Sequence, residues 1–387
     1  MVDNDHSLMV PPRTAVDDYS LNTPSILPQH SGVPPDTVFS LPMDHLGLLG
    51  LADSGHAGLF AALTGLDASI ASEKVLGVVA IPDERLNQLA AMSSSRNVVP
   101  ATFQIAYIPG LSTEAGKGLG SRLLGGVRDC DALMMVVRAD AGHDPEQERV
   151  AIEEELILAD LGTVENRLAK QKRASKGDKS LAPEIAALAR AEEILSNADP
   201  LYRSDLTATE RDLLTPAFLL TNKPTLIVVN IGLDQLSEAD SLAAALSPAA
   251  VATGALSVCV ELEADPDVVA TSGTERAELL ADLGVPESVV PRLARRALEL
   301  LGRSTFLTTG EEESRAWTYR TGASAPECAG VIHSDLQRGF IRAEIIGWQE
   351  LLEIGSWTKA KDVGKLRVEG KDYAVLDGEV LEIRFNV

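Results

Sequence analysis

The stretch from Leu46 to Thr64 constrains the fold of this chain more than any other part of its sequence. It reads LGLLGLADSGHAGLFAALT, in which a short apolar run leads to Gly50, a loop ends at Gly55, and a second apolar run follows. The first run suits a buried strand and the second an apolar helix. A strand, a loop with glycines at this spacing and a helix form the frame of a phosphate-binding loop, whose backbone N–H groups hold phosphate oxygens. The stretch therefore predicts α/β structure around such a loop.

The side chains that supply the chemistry of a phosphate-binding loop are replaced in this one. Where such a loop has Lys and then Ser or Thr, this chain has His56 and Ala57, followed by Gly58. A histidine is mostly neutral at pH 7 unless a bound anion raises its pKa, and an alanine cannot bind a metal. Charge-assisted contacts contribute roughly 1.5–3 kcal/mol each, so losing both weakens Mg-nucleotide binding by about 10³ or more. We expect ATP or GTP to bind weakly and Mg²⁺ not to bind. The alternative is that Gly50 and Gly55 only form a tight strand-to-helix turn.

Composition limits the classes of protein to consider. With 387 residues, 45% of them hydrophobic, the chain has room for two or three globular domains. Its net charge of −23 argues against DNA binding and restricts any RNA contact to a local basic patch. The cysteines Cys130, Cys259 and Cys328 have no paired spacing, so neither a disulfide framework nor a zinc site is predicted. No apolar span approaches the roughly 20 residues of a membrane helix, and we expect a cytoplasmic protein without membrane contact.

Beyond a proline-rich start, the chain alternates between strand-like and helical patterns. Residues 1–42 are polar, contain seven prolines and predict a disordered N-terminal tail. After the loop, five runs have a strand-like composition: Val75–Ile81, Thr102–Ile108, Ala132–Val137, Pro224–Ile231 and Leu256–Val260. Helical patterns separate them, which predicts a parallel sheet covered by helices on both faces.

Two further regions depart from this alternation. From about Pro145 onward, runs of Glu, Lys, Arg, Ala and Leu predict a helical hairpin. Its charges suit solvated faces, and a basic cluster at its tip is a candidate RNA contact, formed by Lys170, Lys172, Arg173, Lys176 and Lys179. From Thr305 onward, short strands and glycine turns predict a separate α+β module, with paired strands around Asp377-Gly378.

Several stretches carry a resemblance to a known family. They are IPDERLNQLA at 81–90, EEELILADL at 153–161, KPTLIVVN at 223–230, SRAWTYRTGASAPECAGVIHSDLQRGFIRAE at 314–344 and the final GKDYAVLDGEVLEIRFNV. Together they resemble the YchF family of Obg-like ATPases over residues 45–387. The resemblance implies a P-loop NTPase-like domain, a helical insertion and a C-terminal TGS (β-grasp) domain. The implied boundaries are 43–144 with 222–303 for the first, 145–221 for the second and 304–387 for the third.

The departures from the family pattern fall on the nucleotide site. The family's Asp-x-x-Gly element, whose aspartate lies by the metal, here has Tyr107 in the aspartate position, and its base-reading Asn-x-x-Glu keeps Asn230 but ends in Leu233. His143 lies where the family has a histidine linked to hydrolysis, at a different spacing. We expect a vestigial nucleotide site without catalytic residues or metal ligands, formed by Gly50, Asp53, Ser54, Gly55, His56, Ala57, Gly58, Gly110 and Asn230.

These observations lead to three functional hypotheses. The first is a pseudo-NTPase that binds the ribosome or another RNA–protein complex through its TGS domain and helical arm, as the resemblance implies. The second is a weak ATPase or GTPase that uses His56 and backbone amides. The third is a stress-linked scaffold without ribosome binding.

Overall fold

Strands in the described part of the chain form two six-stranded sheets. The computed structural model describes residues 45–110, 121–140, 142–247, 254–271, 273–283, 285 and 288–386. The predicted tail at 1–42 and most of the glycine loop after Gly110 therefore lie outside the described residues. In chain order the strands are β1 (His45–Gly50), β2 (Val75–Ile81), β3 (Asn97–Val99), β4 (Ala101–Tyr107), β5 (Ala132–Arg138), β6 (Thr225–Asn230), β7 (Ala255–Val258), β8 (Arg303–Thr308), β9 (Glu313–Arg320), β10 (Phe340–Gly347), β11 (Arg367–Glu369) and β12 (Glu379–Phe385).

Helices connect and cover these strands. They are α1 (His56–Thr64), α2 (Glu84–Ser93), α3 (Ser121–Arg128), α4 (Pro145–Ala174), α5 (Ala182–Ser196), α6 (Ala208–Leu214), α7 (Ala239–Leu246), α8 (Val260–Glu263), α9 (Pro266–Ala270), α10 (Gly273–Asp282), α11 (Val289–Leu300), α12 (Ala325–Ile332), α13 (Ser334–Arg338), α14 (Trp348–Ile354) and α15 (Trp357–Asp362). None of the helices in the described ranges is both long enough and apolar enough to cross a membrane.

The first sheet has the order β2-β4-β1-β5-β6-β7. Five of its strands run parallel, namely β4, β1, β5, β6 and β7, which confirms the predicted parallel sheet. The sixth strand, β2, pairs antiparallel with β4 at one edge. Alternate side chains of β1 enter different clusters, with Leu46 and Leu48 in one and Leu49 in the other. Because successive side chains of a strand point to opposite faces, this sheet is buried on both. Phe60 of α1 packs in the first cluster and Ile152 of α4 in the second.

The helical hairpin is inserted between β5 and β6. Its first helix, α4, is 30 residues long and begins at the N-cap Asp144, whose side chain accepts a hydrogen bond from Glu146 N. The hairpin has an apolar cluster of its own, in which Val164 and Leu168 of α4 pack with Leu188 of α5. The structure thus confirms the hairpin that the charge pattern predicts.

The second sheet has the order β11-β10-β12-β8-β9-β3 and departs from expectation at two points. Its edge strand β3 comes from Asn97–Val99, far upstream, and pairs parallel with β9. The prediction that the last two strands pair with each other is wrong, because β11 and β12 flank β10 and each pairs antiparallel with it. Asp377 does not tip a hairpin: its carboxylate accepts from Thr305 N at 2.8 Å and from Arg85 Nη1 at 2.6 Å. That contact ties the segment before β12 to β8 and to the start of α2.

Candidate functional site

The loop from Gly50 to Gly58 follows β1 and leads into α1. A Cβ at position 50 would lie 2.2 Å from Ser54 Oγ and 3.0 Å from the Val136 carbonyl oxygen. Gly55 has φ +86°, in the left-handed region, and a Cβ there would lie 2.4 Å from Asn230 Nδ2. Any larger side chain would collide at either position. Packing and backbone conformation therefore account for both glycines without a bound phosphate.

His56, at the position of the phosphate-binding lysine, is turned into the protein. Its side chain is buried, with Nε2 3.1 Å from the carbonyl oxygen of Ile108 and Nδ1 2.8 Å from Ser54 Oγ. A carbonyl oxygen can only accept a hydrogen bond, so Nε2–H is the donor to Ile108. In the neutral ring Nδ1 then carries no proton and accepts the hydroxyl hydrogen of Ser54. Both ring nitrogens are satisfied within the protein.

The electrostatics of this arrangement keep His56 uncharged. Burial lowers the pKa of His56 to about 4, and the opposing influences of the Ile108 carbonyl and the Asp53 carboxylate are smaller. Desolvation has this direction because the charged imidazolium loses its hydration on burial. The ring also stacks on Tyr107, with ring centroids 5.0 Å apart and an interplanar angle of 15°. At neutral pH the lysine position therefore contributes no positive charge.

Tyr107, at the position of the metal-binding aspartate, belongs to the apolar core. It is 4% exposed and lies between the His56 ring and Phe60, whose ring centroid is 5.7 Å away. Burial raises the pKa of its hydroxyl. Ala57, at the metal hydroxyl position, has no side-chain oxygen. These two residues do not fit a Mg²⁺ ion, which takes oxygen ligands.

Asn230 joins the loop to the next strand. Its Nδ2 donates to the Ser54 carbonyl oxygen at 3.1 Å, and its Oδ1 accepts from Val260 N at 3.1 Å. The side chain thus has a structural role that explains its presence without base recognition. Leu233, at the position of the base-reading glutamate, is 45% exposed and has no polar atom for such recognition.

The structure brings the predicted site residues to one end of the first sheet. Gly50 and Asn230 are the last residues of β1 and β6, Gly110 follows β4, and parallel strands place their carboxyl ends at the same edge. Gly110 approaches the loop so closely that a Cβ would lie 2.9 Å from Ala52 Cα, and a Cβ at Gly58 would lie 2.8 Å from Val260 Cγ1. Asp53 is exposed and has φ +61°. His143 is exposed too, and its backbone N–H donates to the Asp140 carbonyl oxygen.

Sequence reasoning missed Asp140, which follows β5 at the same edge. Its Oδ1 is buried and has no hydrogen-bond partner among the described residues, which is uncommon for a native carboxylate. The signal that was available is an acidic residue two positions after a buried strand. Within the described ranges, no group of three or more His, Cys, Asp or Glu side chains is arranged to hold a metal ion.

Comparisons with known proteins agree with this architecture. The family model for the C-terminal domain of YchF GTPases, described as a protein of unknown function (DUF933), matches residues 304–386. The ribosome-binding ATPase YchF of Bacillus subtilis (strain 168) is 36% identical over 363 residues, covering 88% of this chain and 99% of the relative. The protein of the same name from Escherichia coli O157:H7 is 36% identical over 360 residues, with the same coverage.

A solved structure extends the comparison to three dimensions. The YchF GTPase of Schizosaccharomyces pombe matches with a TM-score of 0.76 at 26% identity, covering 88% of this chain and 97% of that one. Because relatives more than one third identical align with nearly their whole length, the chain belongs to the YchF family.

Proposed function

We propose that this protein acts by binding the ribosome and that its function does not depend on nucleotide turnover. The observation that carries the proposal is the state of His56, which is buried, neutral and bonded to Ser54 and Ile108. The ribosome enters because the relatives in Bacillus subtilis and Escherichia coli are named ribosome-binding ATPases. We infer that the protein retains the family fold and the ribosomal partner but has lost nucleotide hydrolysis. We also infer that it acts in the cytoplasm.

The expected loss of nucleotide affinity follows from the missing charges. A lysine in the loop and a metal hydroxyl each add a charge-assisted contact worth roughly 1.5–3 kcal/mol. Without them, backbone N–H groups at the start of α1 remain as anion donors. We therefore expect ATP and GTP to bind more weakly than about 100 μM, and Mg²⁺ to add little to the affinity.

Isothermal titration calorimetry of the full chain with ATP and GTP, with and without Mg²⁺, tests this expectation. The Bacillus subtilis relative, which is named an ATPase, serves as the matched positive control under the same buffer. Micromolar binding that requires Mg²⁺ would contradict the proposal. Weak binding that Mg²⁺ does not change supports it.

A weak ATPase or GTPase is the second candidate, because the loop still presents the start of α1 at the edge of the sheet. This candidate predicts slow Mg-dependent phosphate release that His56→Ala abolishes. Cosedimentation with ribosomes at low and moderate salt separates both candidates from a scaffold that has no ribosomal partner. A parent protein that stays in the supernatant under both conditions would overturn the ribosomal part of the proposal.

A further inference from the structure

In the described part of the chain, the two sheets have four edge strands, and one of them differs from the other three in length and composition. β3 and β11 have three residues each and β7 has four, which limits how far another strand can pair with them. β2 has seven residues, Val75–Ile81, and reads VLGVVAI. Charged residues and prolines are common devices that keep an edge strand from pairing with another chain. β2 contains neither.

The outer edge of β2 is open among the described residues. Its inner edge pairs antiparallel with β4 in an unbroken register, from Val75 opposite Tyr107 to Ile81 opposite Ala101, so no bulge bends the strand. No described residue forms a backbone hydrogen bond with the outer edge. Alternate N–H and C=O groups of an edge strand point away from its sheet. The strand therefore offers hydrogen-bond donors and acceptors along about 24 Å.

One face of β2 is exposed and apolar. Val79 and Ile81 point into the first core cluster, whereas Leu76 and Val78 on the other face are 48% and 51% exposed. Ala80 on the same face is exposed too. The solvent face of an antiparallel edge strand is commonly polar. A row of exposed apolar side chains beside an open edge is instead typical of a surface that pairs with another strand.

The partner that this edge fits best is a second copy of the same chain. Antiparallel pairing about a twofold axis at Val78 places Val78 opposite Val78 of the other copy and Leu76 opposite Ala80. Residues opposite each other in such a pair lie on the same face, so the exposed apolar side chains of the two copies meet. No like charges oppose each other, because all seven residues are uncharged. A contact of this symmetry closes after two copies.

We propose that the chain forms a homodimer by antiparallel pairing of β2 with β2 of a second copy. The pairing joins the two first sheets into one continuous sheet and does not depend on ribosome binding. Each copy has a net charge of −23, so repulsion between copies opposes the dimer, and salt strengthens it by screening. Two strands of this length form a small interface, in the class below about 1,200 Å² that is typical of transient complexes. The dimer therefore dissociates on dilution.

Sedimentation velocity of the full-length chain tests the proposal, at protein concentrations of about 5 and 200 μM and in about 50 and 300 mM KCl. Two variants, Val78→Lys and Val78→Glu, each place like charges opposite each other at the axis. The control Val363→Lys changes an apolar side chain that is 62% exposed and directly follows α15. Circular dichroism checks that every variant is folded, which we expect because position 78 is half exposed in the monomer.

We expect the parent and the control to be mainly dimeric at the higher concentration and mainly monomeric at the lower one, with more dimer at higher salt. Either Val78 variant alone should raise the dissociation constant about tenfold or more, because like charges then face each other. An equimolar mixture of the two variants should return to within about threefold of the parent, since Lys then faces Glu across the axis.

A parent that is monomeric at both concentrations would overturn the inference. Val78 variants that dimerise as well as the control would do the same. If both variants are monomeric and their mixture does not recover, position 78 is not at the axis and the proposed pairing is wrong. A monomeric parent whose Val78→Lys variant no longer cosediments with ribosomes would assign the edge to a ribosomal partner, which also overturns the inference.

Discussion

The loop after β1 and the end of the helical hairpin differ in what each offers to a phosphate group. We call that end, residues 169–181, the arm tip. The loop has the shape of an anion site, with glycine turns and the start of a helix, yet its lysine position holds a neutral, buried His56. The arm tip has five exposed cations, which are Lys170, Lys172, Arg173, Lys176 and Lys179. Packing maintains the backbone geometry of the loop, because side chains larger than glycine at positions 50 and 55 would collide with their neighbours. Charge is carried by side chains that the fold does not require, so it can be lost in one place and gathered in another.

The largest expected effect tests whether the metal position has become core. Tyr107→Asp places a carboxylate between His56 and Phe60, at a position that is 4% exposed in the parent. Loss of an aromatic ring from a packed site, together with an unpaired buried polar group, should cost about 3–5 kcal/mol of unfolding free energy. Urea denaturation measures the change, with Tyr107→Phe as the matched control that keeps the ring. An Asp variant as stable as the control, and stabilised further by Mg-ATP, would mean that the position still forms a metal site.

The second prediction concerns the charge of His56 as the pH falls. Its pKa is about 4 in the folded protein and 6.5 when exposed, so between these values the unfolded chain binds a proton that the folded chain excludes. The free energy of unfolding therefore has its full value above pH 6.5 and decreases as the pH falls toward 4. Between pH 7.5 and pH 5, we expect this residue to remove about 2 kcal/mol of unfolding free energy.

Urea denaturation at both pH values, in the parent and in His56→Leu, isolates this contribution. The buried carboxyl of Asp160, whose pKa is raised by burial, acts equally in both proteins and cancels in the difference. Equal losses in the two proteins would show that His56 titrates normally. In that case the loop would carry more charge than the structure implies, and the contrast with the arm tip would weaken.

The smallest effect distinguishes a structural asparagine from a base-reading one. Asn230→Ala removes the bonds to the Ser54 carbonyl oxygen and Val260 N, and should cost about 1–2 kcal/mol because two backbone groups lose their partner. Leu233→Ala, at the neighbouring exposed position, should change stability by less than about 0.5 kcal/mol. Thermal unfolding compares the two variants. A stable Asn230→Ala protein with reduced GTP binding would assign Asn230 to nucleotide recognition instead.

Local sequence patterns determined much of the fold. The strand from Val75 to Ile81 was predicted with the bounds it has, and Asp83 caps the start of α2 by accepting a hydrogen bond from Arg85 N. The helical hairpin and the parallel first sheet were also predictable. These features depend on apolar periodicity and capping within a few residues, which is information that a single sequence contains.

The positions of the site residues were likewise within reach of the sequence, since the loop spacing and the strand ends place Gly50 and Asn230 at one edge of a parallel sheet. The charge and the hydrogen-bond partners of these site residues could not be predicted from the sequence. The neutral state of His56 depends on its burial against Tyr107. Its tautomer depends on the carbonyl oxygen of Ile108, which is 52 residues away along the chain. The unpaired oxygen of Asp140 is visible only when its neighbours are known.

The sequence by itself determined which segments become strands and helices, where the glycine loop lies and where positive charge collects. Only the tertiary structure decided that β3 joins the second sheet, that β11 and β12 lie on either side of β10, and that His56 is uncharged. The physical reason is the distance along the chain over which each effect acts. Strand formation and capping are set by neighbours in sequence, whereas strand pairing and desolvation are set by neighbours in space that the chain brings together from distant positions.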